Sequence, residues 1–214
     1  MSRITVVGGT GYAGSLIVAE AAARGHEVTA LSRSLPDDRV AGVTYVQGDA
    51  ADEAALSAVV SGADVVVGAL APRGSLAGSF RDVYRTLARL ADAEGAPLYV
   101  VGGFSSLRPA AGAPRFAEDL SHAPAEFHDE ITSVAALVVD DLPATPKTLD
   151  WVFVSPAAKF GSFAPGEPLG EYRVGDDVAV HPEGGEISGA DYALGVVDLI
   201  EKADHHRAHV NLAY

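Results

Sequence analysis

Short apolar runs alternate with segments of helical periodicity along the whole chain. The apolar runs end in glycine or a polar residue and predict buried strands at 3–9, 26–33, 43–49, 63–70, 97–106, 149–156 and 209–214. Between them, apolar positions that recur every three or four residues predict helices at 15–25, 49–62, 79–95, 128–142 and 188–202. Proline, alanine and glycine in 107–128 favour a loop, and a hairpin is expected within 170–180.

The regular alternation of strands and helices predicts an α/β fold with a single Rossmann-like, doubly wound parallel sheet. One domain is expected over 1–214, with a short C-terminal lobe at 157–187 that is rich in glycine and proline. Right-handed crossovers would place helices on both faces of the sheet. Ligands would then bind at the carboxyl ends of the strands.

Polar residues mark where two of the helices begin. Asp49 is placed to cap the helix at 49–62, and Ser188 with Asp191 three residues later is close to a capping box for the helix at 188–202. Both helices should therefore start at these side chains.

Three glycines follow the first apolar run in "VVGGTGYAGS", residues 6–15. Gly8 permits a tight turn, Gly11 lets the backbone approach a pyrophosphate and demands a backbone conformation that glycine accepts easily, and Gly14 lets the helix pack on the strand. The positive end of the helix would face the phosphates. This turn predicts a dinucleotide site to which Thr10 and Tyr12 also contribute.

The end of the second strand reads "LSRS", where an NAD site usually carries an acidic residue. Arg33 can pair with a 2′-phosphate, so NADP is favoured over NAD, although Asp37 and Asp38 lie close by. Asp49 is a candidate contact for the adenine amine, and its role as a plain helix cap stays open beside it. The sequence therefore predicts a single NAD(P)-binding Rossmann domain over 1–214.

Charge and composition limit the partners. The formal net charge is −14 and there is no cysteine, which argues against nucleic acid, anionic membranes, disulfides and thiolate chemistry. The first residues are too short an apolar run for a signal segment or a membrane span. We expect a cytoplasmic protein that acts on a small molecule, and its oligomeric state cannot be derived from the sequence.

Several segments resemble the atypical short-chain dehydrogenase/reductase superfamily: "GGTGYAG", "GD" at 48–49 and "VVGGFSSL" after the fifth strand. The last third, "LDWVFVSPAAKF…GEY…ISGADYALGVVDLIE", resembles an NAD(P)H-binding subgroup that is similar to NADH-flavin reductases and biliverdin-IXβ reductase. The resemblance implies that the cofactor also meets Ala69, Gly102, Pro156 and Ala157 at the strand ends. Pro156 can equally serve to stop its strand.

One feature of that superfamily is absent. No tyrosine is followed four residues later by lysine, and the lysines stand only at 147, 159 and 202. The absence of a Tyr-x-x-x-Lys pair therefore argues against alcohol dehydrogenation and sugar epimerisation by that mechanism. Flavins and quinones accept hydride onto a conjugated system and need a dedicated acid less. The sequence thus favours an NAD(P)H-dependent reductase, and the alternative is a non-catalytic sensor of the cofactor's redox state.

Few side chains are left for catalysis. Ser105 and Ser106 follow the fifth strand and are the candidates for orienting the acceptor, although serines also bond their own turns. His122 and His128 are either proton donors or surface residues.

Two further groups have both a functional and an ordinary interpretation. The histidines in "DHHRAH", 204–209, are more simply cations at a helix end than metal ligands, so no metal is expected. The aromatic residues of the lobe, Phe160, Phe163 and Tyr172, form an apolar wall for the acceptor or ordinary core.

Overall fold

One sheet organises the molecule. The computed structural model describes residues 1–121 and 123–214, so His122 lies outside the described residues. Within them, eight strands form the sheet in the order β3-β2-β1-β4-β5-β6-β8-β7. The strands are β1 Arg3–Val7, β2 Glu27–Ser32, β3 Thr44–Gln47, β4 Val65–Gly68, β5 Leu98–Val101, β6 Trp151–Pro156, β7 Arg173–Gly175 and β8 Ala208–Ala213. All seven predicted strands are confirmed, and β7 is additional.

The helices are α1 Tyr12–Ala23, α2 Glu53–Val60, α3 Phe80–Glu94, α4 His128–Ala136 and α5 Gly189–Lys202. Helix α4 continues into a π-helical segment, Leu137–Asp141, so the predicted helix at 128–142 is continuous but changes its hydrogen-bond period. Short 3₁₀ turns occupy Gly74–Leu76 and Phe104–Ser106, in the loops that follow β4 and β5.

The sheet is parallel except at one edge. Strands β1 to β6 and β8 pair in parallel, and β7 pairs antiparallel with β8. The predicted hairpin at 170–180 is therefore wrong. Backbone groups of β8 would be unpaired at the sheet edge, and β7 satisfies them. The chain beyond β7 instead meets Arg108, whose amide donates to the carbonyl of Asp177.

Helices cover both faces, as the alternation of elements predicts. On one face α1 and α5 bury Ile17, Val18, Val196 and Val197 against the strands. On the other face α2, α3 and the π-helical segment bury a second cluster that includes Leu56, Leu87 and Leu137. Each fully buried aliphatic side chain contributes about 1.5–3 kcal/mol. The doubly wound arrangement is confirmed.

Of the two predicted helix caps, one is correct. Ser188 Oγ accepts from the Asp191 amide at 3.0 Å and caps α5. The prediction for Asp49 is wrong, because the chain makes one more turn, with the Asp52 amide donating to the Asp49 carbonyl at 3.0 Å. Asp52 then caps α2 by accepting from the Ala54 amide at 2.9 Å.

Candidate functional site

A cleft of about 1080 Å³ lies at the carboxyl ends of the central strands. It runs from the end of β2 across the turn after β1 to the ends of β5 and β6. Apart from Gly14, the residues that the sequence assigns to the cofactor line this cleft, and so do the two candidate serines: Gly8, Thr10, Gly11, Tyr12, Arg33, Asp49, Ala69, Gly102, Ser105, Ser106, Pro156 and Ala157. This is the position at which doubly wound sheets bind ligands.

Gly8 makes the turn out of β1. Its φ is +90°, a conformation that residues with a side chain rarely adopt, and a β-carbon there would lie 2.4 Å from the carbonyl oxygen of Ala69. Its amide donates to the carbonyl of Leu31 at 2.9 Å. The turn is thereby held between the ends of β2 and β4. Gly8 forms the tight turn that the sequence predicts for it.

The other two glycines of the motif differ in their surroundings. Gly11 has φ −71° and ψ 171°, an ordinary extended backbone, so the expectation that its conformation needs glycine is wrong. It is exposed on the cleft, and a β-carbon there would have the carbonyl oxygen of Gly8 as its nearest neighbour, at 3.3 Å. Gly14 is buried in α1, where a β-carbon would lie 2.2 Å from that same oxygen. Gly14 is therefore the packing glycine.

The start of α1 suits the pyrophosphate of a dinucleotide. Gly11 is its N-cap and offers no side chain to the first-turn amides, and the first turn contains no acidic residue. Gly11, Tyr12 and Ala13 line the cleft, so the positive end of the helix borders it. Backbone donors, a positive helix end and little side-chain bulk are what such an anion requires.

Two side chains at the end of β2 organise the neighbouring part of the cleft. Ser32 is buried, and its Oγ accepts from the Thr10 amide at 3.1 Å, which fastens the glycine turn to β2. Arg33 is exposed, and its Nη1 donates to Ser75 Oγ at 2.8 Å. Among the described residues no carboxylate pairs with Arg33, and Asp37 and Asp38 are not part of the cleft lining. The fastening role of Ser32 is not apparent from the sequence.

Asp49 and Tyr12 have structural partners as well as places on the cleft. Asp49 Oδ1 accepts from the Ala51 amide at 2.9 Å and thereby stabilises a turn. The hydroxyl of Tyr12 faces the amide of Gly189 at the start of α5, and burial raises the pKa of this phenol. Its ring meets Phe160 edge-on, with centroids 5.4 Å apart. The ring of Tyr12 therefore borders the cleft, while its hydroxyl contacts the main chain at the start of α5.

Ser105 and Ser106 form the 3₁₀ turn after β5 together with Phe104, and both line the cleft. Ser106 is 1% exposed, and its carbonyl accepts from Arg115 Nη1 at 2.6 Å. Ser105 is the more accessible of the two. Their part in catalysis stays a prediction.

A partly buried series of hydrogen bonds supports this turn from behind. Ser155 Oγ donates to the Gly103 carbonyl at 2.9 Å and lies 2.8 Å from His209 Nε2, while Arg115 Nη1 lies 3.3 Å from His209 Nδ1. Burial, reinforced by Arg115, lowers the pKa of His209 to about 3. The imidazole is therefore neutral at pH 7, accepting from Arg115 and donating to Ser155. The sequence does not predict this series of hydrogen bonds.

His128, His205 and His206, also considered from the sequence, are not among the residues that line the cleft. His128 has its Nε2 2.9 Å from the carbonyl oxygen of Ala123. His205 pairs with Asp204 and His206 with Asp150, at 2.7 and 2.6 Å. In the described part of the chain, no group of three or more potential ligands could hold a metal ion.

The aromatic residues of the lobe have different roles. Phe160 lines the cleft and packs on Tyr192, with ring centroids 4.5 Å apart. Phe163 also lines the cleft and is 79% exposed. Tyr172 is instead hydrogen-bonded to Asp198 of α5. Phe160 and Phe163 therefore lie where they could meet a ligand, Tyr172 packs against α5, and an apolar wall for the acceptor stays a prediction.

Two further features of the cleft are not predicted by the sequence. Arg73, just after β4, and Glu130, on α4, form a two-bond ion pair between lining residues. Phe127, which precedes α4, lines the cleft while 42% exposed. No local sequence motif marks either feature, because each depends on where α4 packs in the folded protein.

The parallel sheet, the glycine turn and the cleft define a dinucleotide-binding Rossmann protein. A model of the NAD(P)H-binding family matches residues 8–203. The chain belongs to this family, and the resemblance inferred from its motifs is confirmed.

Solved structures of similar proteins agree with this assignment. The chain is 28% identical to a putative epimerase from Bacteroides thetaiotaomicron (TM-score 0.85, covering 100% of this chain and 97% of that one). It is 33% identical to a putative exported protein from Burkholderia pseudomallei (TM-score 0.83, 100% of both chains). It is 28% identical to a putative NADH-flavin reductase from Streptococcus pneumoniae TIGR4 (TM-score 0.81, 100% and 99%). The fold is common to proteins described in three different ways.

None of the helices formed by the described residues has the length and apolar character needed to span a membrane.

Proposed function

We propose that the protein is an NADPH-dependent reductase that passes hydride to a flat conjugated acceptor such as a flavin or quinone. The observation that carries this proposal is one continuous cleft, with the glycine turn Gly8–Gly11 on its lining and aromatic side chains where it meets α4 and the lobe. We call this second part, lined by Phe104, Phe127, Phe160 and Phe163, the acceptor end. The similarity to the Streptococcus pneumoniae protein supports the same reading.

The residues of the chain suit a dinucleotide laid across the strand ends. The start of α1 would bind the pyrophosphate, and Arg33 with Ser75 would bind a 2′-phosphate, which supports NADPH over NADH. Main chain at Gly102, Pro156 and Ala157 would support the nicotinamide. A cytoplasmic location stays a prediction from the sequence.

When bound, the reduced nicotinamide supplies a hydride, which is two electrons with one proton. The acceptor is reduced by that hydride and takes a second proton from water, so no protein acid is required. Within the described residues no lysine lines the cleft, and the hydroxyl of the lining Tyr12 is directed to Gly189. Ser105 is the side chain we assign to orient the acceptor by a hydrogen bond.

Steady-state oxidation of NADPH with riboflavin, FMN, FAD and simple quinones tests the proposal. We expect turnover with at least one of these acceptors and a lower kcat/KM with NADH. NADPH binding without turnover on any acceptor would contradict a reductase and favour the redox sensor. Calorimetry with both redox forms would then be decisive, because a sensor must bind them with different affinities.

A further inference from the structure

Two arginines line the cleft, and they differ in how their charge is used. Arg33, at the end of β2, is hydrogen-bonded to the neutral Ser75, and no carboxylate in the described chain pairs with it. Arg73, after β4, is paired with Glu130. The Arg33 guanidinium is thus available to an anionic ligand, whereas the Arg73 guanidinium is already paired with the carboxylate of Glu130.

The Arg73–Glu130 pair has the two-bond geometry that arginine and carboxylates favour. Nε of Arg73 lies 2.6 Å from Oε2 of Glu130, and Nη2 lies 2.8 Å from Oε1. The hydrogen bonds that Arg73 donates to Glu130 raise the pKa of Arg73, so this guanidinium keeps its charge at pH 7. Together they add no net charge to the cleft.

The position of Glu130 assigns the pair to the acceptor end. Glu130 and Val134 are four residues apart on α4, so they share a face of that helix, and both line the cleft. Val134 packs beside Gly103, where a β-carbon would lie 3.5 Å from its methyl group. Gly103 directly precedes the turn that contains Ser105. The pair therefore borders the acceptor end through Glu130, while Arg73 stands two residues before Ser75, which contacts Arg33, and so also lies near the end of β2.

The remaining side chains of the acceptor end are apolar or small. Phe163 is 79% exposed and Phe127 is 42% exposed, although large apolar side chains are usually covered. Exposed aromatic faces on a cleft favour a flat, apolar ligand. Apart from Arg73 and Glu130, the charged residues of the described lining are Arg33 and Asp49, near the end of β2.

We propose that Glu130 is a specificity-determining residue: by occupying Arg73 it commits the acceptor end to uncharged flat acceptors and against those that carry a phosphate, sulfonate or carboxylate. The proposal rests on the proposed function and names its acceptor class. An anionic acceptor would have to displace Glu130 from Arg73, which would leave the Glu130 carboxylate unpaired beside the anion, or bind beside the intact pair with its own charge uncompensated. An uncharged acceptor, such as riboflavin or an unsubstituted quinone, does neither.

The test compares acceptors that differ by a single anionic group. Riboflavin is paired with FMN, and a neutral naphthoquinone with its sulfonate. Affinity is measured by equilibrium fluorescence titration in the presence of NADP⁺, and kcat/KM by NADPH oxidation. We expect the wild type to prefer the neutral member in both measurements, and Glu130→Gln to raise the anionic-to-neutral ratio about three- to tenfold, as expected for one partly exposed charge contact.

Two further variants test whether the change in the anionic-to-neutral ratio comes from the Arg73–Glu130 pair. Asp129→Asn removes the same charge from the neighbouring exposed position outside the cleft lining and should leave the ratio as in the wild type. Arg73→Gln combined with Glu130→Gln should abolish the gain, because that gain depends on the released arginine. Circular dichroism melting verifies that each variant is folded.

Failure of the acceptor-class proposal can be distinguished from failure of the reductase function. Wild-type binding and turnover that are equal for both members of a pair, or an unchanged ratio in Glu130→Gln, would overturn the proposal and leave the reductase function standing. If neither pair binds or is reduced, both the reductase function and the acceptor class are overturned.

Discussion

Gly14 of α1 packs directly against the carbonyl oxygen of Gly8, so closely that a β-carbon on Gly14 would lie 2.2 Å from that oxygen. The Gly8 oxygen and the Gly14 α-carbon that would carry this β-carbon both belong to the main chain, so the clash can be relieved only by displacing α1 from β1. We expect Gly14→Ala to lower the free energy of unfolding by about 1–3 kcal/mol, as in other overpacked sites, and to weaken NADPH binding. Gly78→Ala is the control, because a β-carbon there meets nothing within 4 Å. Equal melting temperatures for both variants would contradict this packing role.

Arg33 should decide the choice of cofactor. Its charge has no carboxylate partner in the described chain, and Ser75 lies 2.8 Å away as a second polar group. Arg33→Ala should weaken NADPH by about 1–3 kcal/mol, the size of a charge-assisted pair, and leave NADH nearly unchanged. Titration with both cofactors measures the difference, with Arg39→Ala as the exposed control outside the cleft. Equal losses for the two cofactors, or a wild type that prefers NADH, would refute the pairing.

His209 predicts how stability depends on pH. Burial, then Arg115, lowers its folded pKa from 6.5 to about 3, with an opposing effect from Asp177. Between these values the unfolded chain binds a proton that the folded protein does not. Stability from this group is therefore full above pH 6.5 and decreases as the pH falls, by up to about 1.4 kcal/mol per pH unit.

Chemical unfolding of the wild type and His209→Gln at several pH values between about 4 and 6 isolates this contribution. The variant should have the shallower slope, while Gly78→Ala, which removes no titratable group and whose β-carbon would meet nothing within 4 Å, should keep the wild-type slope. Parallel slopes for all three proteins would show that the His209 imidazole does not resist protonation.

Asp191 attaches the lobe to α5. Its carboxylate accepts from the amides of Leu169 and Gly170 at 2.7 and 2.9 Å and from the hydroxyls of Ser188 and Tyr214 at 2.8 and 2.6 Å. Burial raises the pKa of this carboxyl, but these hydrogen bonds outweigh it and lower the pKa below its ordinary 3.8. The stabilisation is therefore present above pH 3.8 and is lost as the pH falls through the folded value.

Asp191→Asn should lower the free energy of unfolding by about 2–4 kcal/mol, because an amide nitrogen cannot accept these bonds. Glu183→Gln, at a lobe position whose side chain is 73% exposed, should change it by less than about 0.5 kcal/mol. Denaturant titration measures both. A stable Asp191→Asn protein would mean that the lobe is held by other contacts.

The sequence predicts those parts of the fold that depend on local patterns. Apolar runs and helical periodicity predict seven strands and five helices, and the spacing of Gly8, Gly11 and Gly14 predicts the turn at the head of the cleft. Ser188 is recognised as a cap because Asp191 follows it at the required distance. Hydrophobic periodicity and short spacings involve residues that are close along the chain, so the sequence alone is enough to predict the features that depend on them.

Features that depend on tertiary packing cannot be read in this way. The antiparallel pairing of Arg173–Gly175 with β8 joins segments far apart in sequence, and nothing local distinguishes it from a hairpin. Arg73 and Glu130 are 57 positions apart, and His209 and Ser155 are 54 apart. Their contacts exist only because α4 and β8 pack where they do. The glycine turn could be predicted, whereas the specificity of the acceptor end could not.

The most direct test of dinucleotide binding in this cleft is an equilibrium fluorescence titration of the wild type and Gly11→Val with NADPH, beside circular dichroism melting. Gly11 has an ordinary backbone conformation and is exposed, but a β-carbon there would lie 3.3 Å from the Gly8 carbonyl oxygen, so the variant should melt below the wild type and still be folded at the temperature of the titration. Its side chain would occupy the space of the pyrophosphate, so NADPH binding should be abolished. A folded Gly11→Val protein that binds NADPH with wild-type affinity would contradict the site and the reductase function built on it.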